Sequence, residues 1–208
     1  LSEPARRGVC LVLVAASGVG KSSIARALLQ EDAGLSLSVS VTTRAARPGE
    51  QDGVHYHFIT QPAFDRLVAD GALLEWAGVF DARYGTPAAP VHAALDAGRD
   101  MLFDIDWQGA RQLRAALPDD IVQVALLPPS LPELERRLVA RGQDAPERIA
   151  RRMAKAMDEI AHWSDADHVV VNRDFDAALA DVRAILRAAR RARHRQVGMS
   201  DFVSRLAP

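Results

Sequence analysis

The sequence predicts an α/β protein: a parallel-sheet core in three layers, helix on sheet on helix, with an inserted mixed subdomain and a helical lid. Three observations carry this. Short, wholly apolar runs recur along the chain. Each is followed by an amphipathic stripe at helical spacing. Two polar, arginine-containing stretches break that rhythm.

Val9–Val14 (VCLVLV) is a continuous apolar run and reads as a parallel strand buried on both faces. Ser22–Gln30 follows as a helix, with Ile24, Ala25, Leu28 and Leu29 on one stripe. The next stretch, Val39–Phe80, carries short alternating runs (His55–Ile59, Leu73–Phe80) between polar turns and reads as a small mixed subdomain. Strand-type runs then return at Met101–Ile105, Ile121–Leu127 and His168–Val171. Each precedes a helical pattern, at Gln108–Ala116, Leu131–Ala140 and Phe175–Arg193. Arg141–Arg152 is polar and arginine-rich, lies between two helical patterns, and reads as a mobile flap.

Composition narrows the classes. A chain of 208 residues fits one large domain or a core with inserted subdomains. It has 26 basic and 27 acidic side chains, a formal charge of −1, which argues against a strongly basic nucleic-acid binder. The single cysteine, Cys10, allows no internal disulfide and reads as a buried, inert thiol. No apolar run reaches the roughly 18 residues of a membrane span, and Leu1–Gly8 has no signal-peptide core, so a cytoplasmic setting is expected. The basic run Arg187, Arg190, Arg191, Arg193, His194 and Arg195 reads either as a nucleic-acid or membrane contact or as a charged helix face, the latter suiting the helix dipole.

The strongest local signal is Ala15-Ala16-Ser17-Gly18-Val19-Gly20-Lys21-Ser22, between a predicted strand and a predicted helix. This is the context of a P-loop. Glycines let backbone N–H groups turn inward around phosphate oxygens, and the helix presents its positive end to the same anion. Lys21 would reach the β- and γ-phosphates of a nucleoside triphosphate, and the Ser22 hydroxyl can ligate Mg²⁺. Ala15 stands where the pattern has its first glycine. Asp104 and Asp106 end the run from Met101 and share one side of the chain. Carboxylates there face the ligand crevice of an open α/β sheet and suit a Mg²⁺ water shell; Asp106 could equally cap the following helix.

A second constellation follows the P-loop segment. Arg44 and Arg47 are guanidinium forks three residues apart, suited to one phosphate, with Tyr56 as a further O–H donor. An isolated pair could be a solvated basic turn. Glu75 lies in the apolar segment Leu73-Leu74-Glu75-Trp76, where a carboxylate is costly without a partner. Guanine offers two adjacent donors, N1–H and the 2-amino group, whereas adenine N1 is an acceptor. The alternative is that Glu75 lies on the outward face of an edge strand.

Together these residues resemble the guanylate kinase family. The likeness is carried by Thr42-Thr43-Arg44, Arg47, Glu50, Gly53, Tyr56 and Phe58, then Glu75-Trp76, Tyr84-Gly85-Thr86, Asp104-Ile105-Asp106-Trp107-Gln108-Gly109, Arg141-Gly142 and Val171-Asn172. The resemblance implies transfer of the γ-phosphoryl of MgATP to GMP, and to dGMP, giving ADP and GDP in purine nucleotide metabolism. It implies a core over about 8–38, 87–136 and 158–208, a GMP-binding subdomain over about 39–86 and a lid over about 137–157. Residues Ala15, Ala16, Ser17, Gly18, Val19, Gly20, Lys21, Ser22 and Ser23 would bind ATP, with Asn172 near its adenine. Ser40 and Glu75 would read guanine, with Gly85, Thr86 and Asp104 nearby. Arg44, Arg47, Tyr56 and Tyr84 would hold the GMP phosphate. Lys21, Arg44, Arg137, Arg141 and Arg152 would act on the transferring phosphoryl group, and Ser22, Asp104 and Asp106 would hold Mg²⁺. Arg173 departs from the family by replacing an acid after Asn172. A non-catalytic peptide-binding relative would have lost nucleotide-site residues, and a kinase for another phosphorylated acceptor would not need the Ser40, Tyr56 and Glu75 set.

Overall fold

The computed structural model describes residues 5–79, 81–140 and 146–206. In chain order its elements are β1 (Cys10–Ala15), α1 (Lys21–Glu31), β2 (Leu35–Leu37), β3 (Val41–Thr42), β4 (His57–Phe58), α2 (Gln61–Ala69), β5 (Leu73–Val79), β6 (Ala82–Pro87) and α3 (Ala88–Asp96). Then follow β7 (Asp100–Asp104), α4 (Trp107–Ala116), β8 (Ile121–Leu127), α5 (Leu131–Ala140), α6 (Pro146–Ala161), β9 (His168–Val171), α7 (Phe175–Arg191) and α8 (Met199–Ser204).

The core sheet is parallel throughout, in the order β2-β7-β1-β8-β9. Its centre explains the unbroken apolar run of β1. Alternate side chains enter opposite faces: Leu11 and Leu13 join a cluster with Ile24, Leu28, Leu134, Val182 and Leu186 from α1, α5 and α7. Cys10, Val12 and Val14 join a second cluster with Val91, Leu95, Ala110 and Leu113 from α3 and α4. The three expected layers follow, and Cys10 is wholly buried, its thiol pushed up to about 12 chiefly by burial. A second, mixed sheet, β4-β3-β6-β5, occupies the stretch expected to be a separate subdomain.

The structure corrects several expectations. The arginine-rich stretch Arg141–Arg152, expected to lie between two helical patterns, is itself helical from Pro146 onward, in the first half of α6, while Arg141 and Gly142 lie outside the described residues. Met153, Ala156 and Ile160 recur at helical spacing and pack on the core, a stripe diluted in sequence by its charged neighbours. Helices α2 and α3 and the edge strand β2 were not anticipated. Helix α2 starts where Thr60 accepts from the N–H of Ala63 and Pro62 enters the first turn. The run His55–Ile59 contributes only the two residues of β4.

The C-terminal basic run is not simply a solvated helix face. Helix α7 ends at Arg191, two residues before expected, and a 3-10 turn (Arg193–Arg195) turns the chain inward. Arg195 is 2% exposed; it donates to the carbonyls of Gly8 (2.7 Å) and Asp119 (2.9 Å) and faces Asp120 at 3.5 Å. Arg190 pairs with Asp32 and with the fully buried Asp100, which also binds Arg6. Arg7 pairs with Asp120. This ion cluster lies at the N-terminal ends of β1, β7 and β8. The opposite, C-terminal ends are left to the functional side chains. Among the described residues no helix is long and apolar enough to cross a membrane.

Candidate active site

The P-loop leaves β1 at Ala15, which is extended and paired with Leu126, a conformation alanine adopts without strain. The missing first glycine therefore changes no backbone requirement. The glycines that matter are Gly18 and Gly20, with φ of 95° and 111°. A Cβ on Gly20 would also lie 2.7 Å from the Asn172 amide nitrogen. Helix α1 begins at Lys21, so its free N–H groups open onto the loop. Register places Leu13 beside Asp104, which brings the end of β7 against the loop. Lys21 Nζ lies 2.7 Å from Asp104 and donates to the Ile105 carbonyl at 3.0 Å. The Ser22 hydroxyl donates to Asp104 at 3.4 Å. Lys21, Ser22 and Asp104, with Ala15, Ser17 and Asp106, line a cavity of about 310 Å³. Asp106 caps α4, accepting from the Gly109 N–H at 2.9 Å, and still faces this cavity, so both expected positions for it coexist.

Asp104 also lines a second cleft, of about 140 Å³, with Ser40, His55, Tyr56 and Ile105. The Tyr56 phenol is surrounded by Tyr84, Arg44, Glu50 and Asp104, and burial raises its pKa. Arg44 lies 5.5 Å from the centre of the Tyr56 ring. Its guanidinium donates to Glu50 at 2.8 Å, while the second Glu50 oxygen accepts from the Arg47 N–H at 2.7 Å. That double engagement, the Arg44 bond above all, holds the Glu50 carboxyl down at about 2. Glu50 was visible only as part of a motif; its work, orienting Arg44 and the turn that carries Arg47, needed the structure. The Arg47 side chain is exposed.

Glu75 faces inward although β5 is an edge strand, and it is 6% exposed. Thr86 donates to it at 2.7 Å. Burial raises its pKa, the Thr86 bond opposes that, and the Asp106 charge adds to it. Gly85 is buried where a Cβ would stand 3.0 Å from the Glu75 carbonyl oxygen and from Trp76 Cβ, so only glycine lets β5 and β6 close at this point.

On the other side of the P-loop, the Asn172 amide is buried and donates to the Val19 carbonyl at 2.7 Å. Asn172 thus braces the loop, and it also lines a cavity of about 360 Å³ with Ser23, Arg136, Arg137 and Phe175. Arg137 is held by Glu133 at 2.8 Å and donates to the Asn172 carbonyl at 3.1 Å. Arg152 reaches the Ser17 hydroxyl at 3.4 Å. Two residues to which the sequence assigned no role complete the wall, Trp107 having been visible only as part of a motif. Glu159, on α6, accepts from the Ser17 N–H at 3.2 Å, and Trp107 stacks on His162 with ring centres 3.6 Å apart. No local pattern distinguished Glu159 from the other charges of its helix.

Three comparisons bear on this arrangement. The family model described as "Guanylate kinase" matches residues 7–189. A guanylate kinase of Gluconobacter oxydans is 59% identical over 204 residues, covering 98% of each chain. One of Granulibacter bethesdensis is 60% identical over 196 residues, covering 94% of this chain and 92% of its own. The crystal structure of guanylate kinase from Anaplasma phagocytophilum superposes with a TM-score of 0.75 at 36% identity, covering 96% of this chain and 95% of that one.

Proposed function

The chain belongs to the guanylate kinase family and phosphorylates GMP at the expense of ATP; from that premise we propose that the transfer runs in line across Asp104, which among the described residues is the one that lines both the P-loop cavity and the Ser40–Tyr56 cleft. That shared residue is the observation that carries the reading. The P-loop side takes the ATP phosphates on the backbone N–H groups of residues 18–22 and on Lys21. The other side takes GMP, or dGMP, with Arg44, Arg47, Tyr56 and Tyr84 on its phosphate and Ser40, Glu75 and Thr86 toward guanine.

Two polyanions must approach each other, and their repulsion is the first obstacle. Lys21 and the arginines at positions 44, 137 and 152 supply fixed positive charge against it, and Arg141 joins them by sequence. The acceptor is already a phosphate anion near neutral pH, so no strong base and no covalent enzyme intermediate are needed; orientation and charge suffice. Enclosure by the lid and the second sheet would keep water, the competing acceptor, out.

The donors present fit Mg²⁺. Ser22 and Asp104 offer hard oxygens 3.4 Å apart on the rim of one cavity. No group of three or more His, Cys, Asp or Glu side chains converges among the described residues, so phosphate and water oxygens would complete the shell, as is usual for this ion. Ser22, and Asp104 and Asp106 through water, would hold the ion, which would supply positive charge against the ATP phosphates.

A coupled assay for ADP release tests the assignment. Wild type should turn over with GMP, and Lys21→Ala should be slowed by orders of magnitude with its circular dichroism unchanged. AMP, UMP or ribose 5-phosphate in place of GMP should give only background. Comparable turnover with AMP contradicts the assignment of the base-reading acid.

A further inference from the structure

Glu75 stands on the outermost strand of the second sheet, yet its direction is set by a helix of the core. Three features converge on it. Leu73 pairs with Pro87 while Glu75 pairs with Thr86, so Leu74 is an extra residue, a β-bulge. Leu74 and Glu75 are consecutive and both buried, whereas neighbours in a regular strand face opposite sides. The bulge thus sends Leu74 into the core cluster and keeps Glu75 inside as well.

Beyond the bulge, the N–H and C=O of Trp76 project from the free edge of β5. Gln112 of α4 takes both: its Oε1 accepts from the Trp76 N–H at 3.1 Å, and its Nε2 donates to the Trp76 carbonyl at 3.1 Å. The side-chain amide does there what a neighbouring strand would do. One turn earlier on the same helix is Gly109. A Cβ at that position would lie 3.0 Å from Glu75 Oε2 and 3.5 Å from its carboxyl carbon. Glycine inside a helix is worse than alanine by up to about 1 kcal/mol, and the carboxylate is the nearest group that a side chain would meet. With Thr86 bonded to the other oxygen, the carboxylate is confined from both sides.

We infer that Gln112, together with Gly109, is a positioning residue for guanine selectivity: it splints the edge of β5 beside the bulge and so fixes the angle at which Glu75 meets the N1–H and 2-amino group of the base. The inference rests on Glu75 being the base-reading acid. It makes selection of the base depend on docking of β5 against α4, while ATP is handled elsewhere.

Inosine monophosphate lacks the 2-amino group, so the ratio of kcat/KM for GMP to that for inosine monophosphate reads this contact. In Gln112→Ala the ratio falls at least fivefold while KM for ATP stays within twofold. Gln112→Glu keeps the acceptor and loses the donor, and falls between. Gly109→Ala removes no hydrogen bond and favours the helix, yet lowers the ratio too; it decides alone should Gln112→Ala not fold. On a Glu75→Gln background each substitution changes the ratio less than twofold. A ratio unmoved by both, where Glu75→Gln collapses it, overturns the inference and leaves the base-reading role of Glu75 standing. Losses that add in full on the Glu75→Gln background overturn it as well, since they would be general damage. A ratio unchanged in Glu75→Gln itself overturns both.

Discussion

Replacing Glu75 by glutamine separates what the residue does for GMP from what it does for the fold. The carboxylate is buried and, among the described residues, has a single neutral donor, Thr86. Guanine would add two donors, and hydrogen bonds to a charged group are each worth about 1.5–3 kcal/mol. Glutamine keeps one acceptor but turns an amide donor toward a donor of the base. The loss is then about 3 kcal/mol, roughly two orders of magnitude in kcat/KM for GMP. The dissociation constant of ATP, measured by titration calorimetry without GMP, should stay within twofold. Stability should move the opposite way. Burial raises the folded-state pKa of Glu75, so the native protein binds the proton more tightly than the unfolded chain. That contribution is complete below the ordinary glutamate value and is lost as pH rises through the raised one. Glu75→Gln should therefore melt higher than wild type at neutral pH, and the gap should close on acidification below the ordinary glutamate range. A variant that loses GMP and ATP equally, or melts lower at neutral pH, refutes the reasoning.

Three further outcomes are expected. Lys21→Ala removes the cation that faces Asp104, and turnover measured by ADP release should fall at least a thousandfold, about 4 kcal/mol or more of barrier. Asn172→Ala frees the Val19 carbonyl of its brace; KM should rise several-fold for ATP and GTP alike, and a shift in the preference between them would mean a direct adenine contact instead. Arg195→Met leaves Asp120 with one fewer buried partner and strips two carbonyls of donors. Breaking a buried pair costs about 3–5 kcal/mol, roughly 10 °C of melting temperature in a chain this size, with KM for both nucleotides unchanged in a calorimetric and kinetic comparison.

Much of this was legible because periodicity and position are local. The run Val9–Val14 could be apolar at every position only if both faces were covered, and the clusters on its two sides show that they are. The P-loop was legible because a strand end, two glycines and a lysine must stand in that order to cradle an anion. The first half of helix α6 was not, because it is arginine-rich and the apolar residues of the helix are sparse. The core cluster, assembled from elements distant in the chain, gives that thin stripe something to cover. The C-terminal arginines misled for a related reason. Charge in a sequence reads as solvent exposure, and Arg195 is buried and Arg190 half-buried against carboxylates that lie far away in the chain.

By itself the sequence determined the alternation of strand and helix, the glycine-rich turn between them and the residue types proposed to meet two nucleotides, since each is set by neighbours within a few positions. The tertiary structure alone decided that Asp104 lines both clefts, that Asn172 braces the P-loop, that Arg195 closes the far end of the sheet, and that Gln112 meets the edge of β5 and Gly109 the Glu75 carboxyl. Those are contacts between residues tens of positions apart or more, made by register, a bulge and the close approach of two backbones. No spacing along the chain encodes them, because the energy that fixes them exists only once the pieces are packed together.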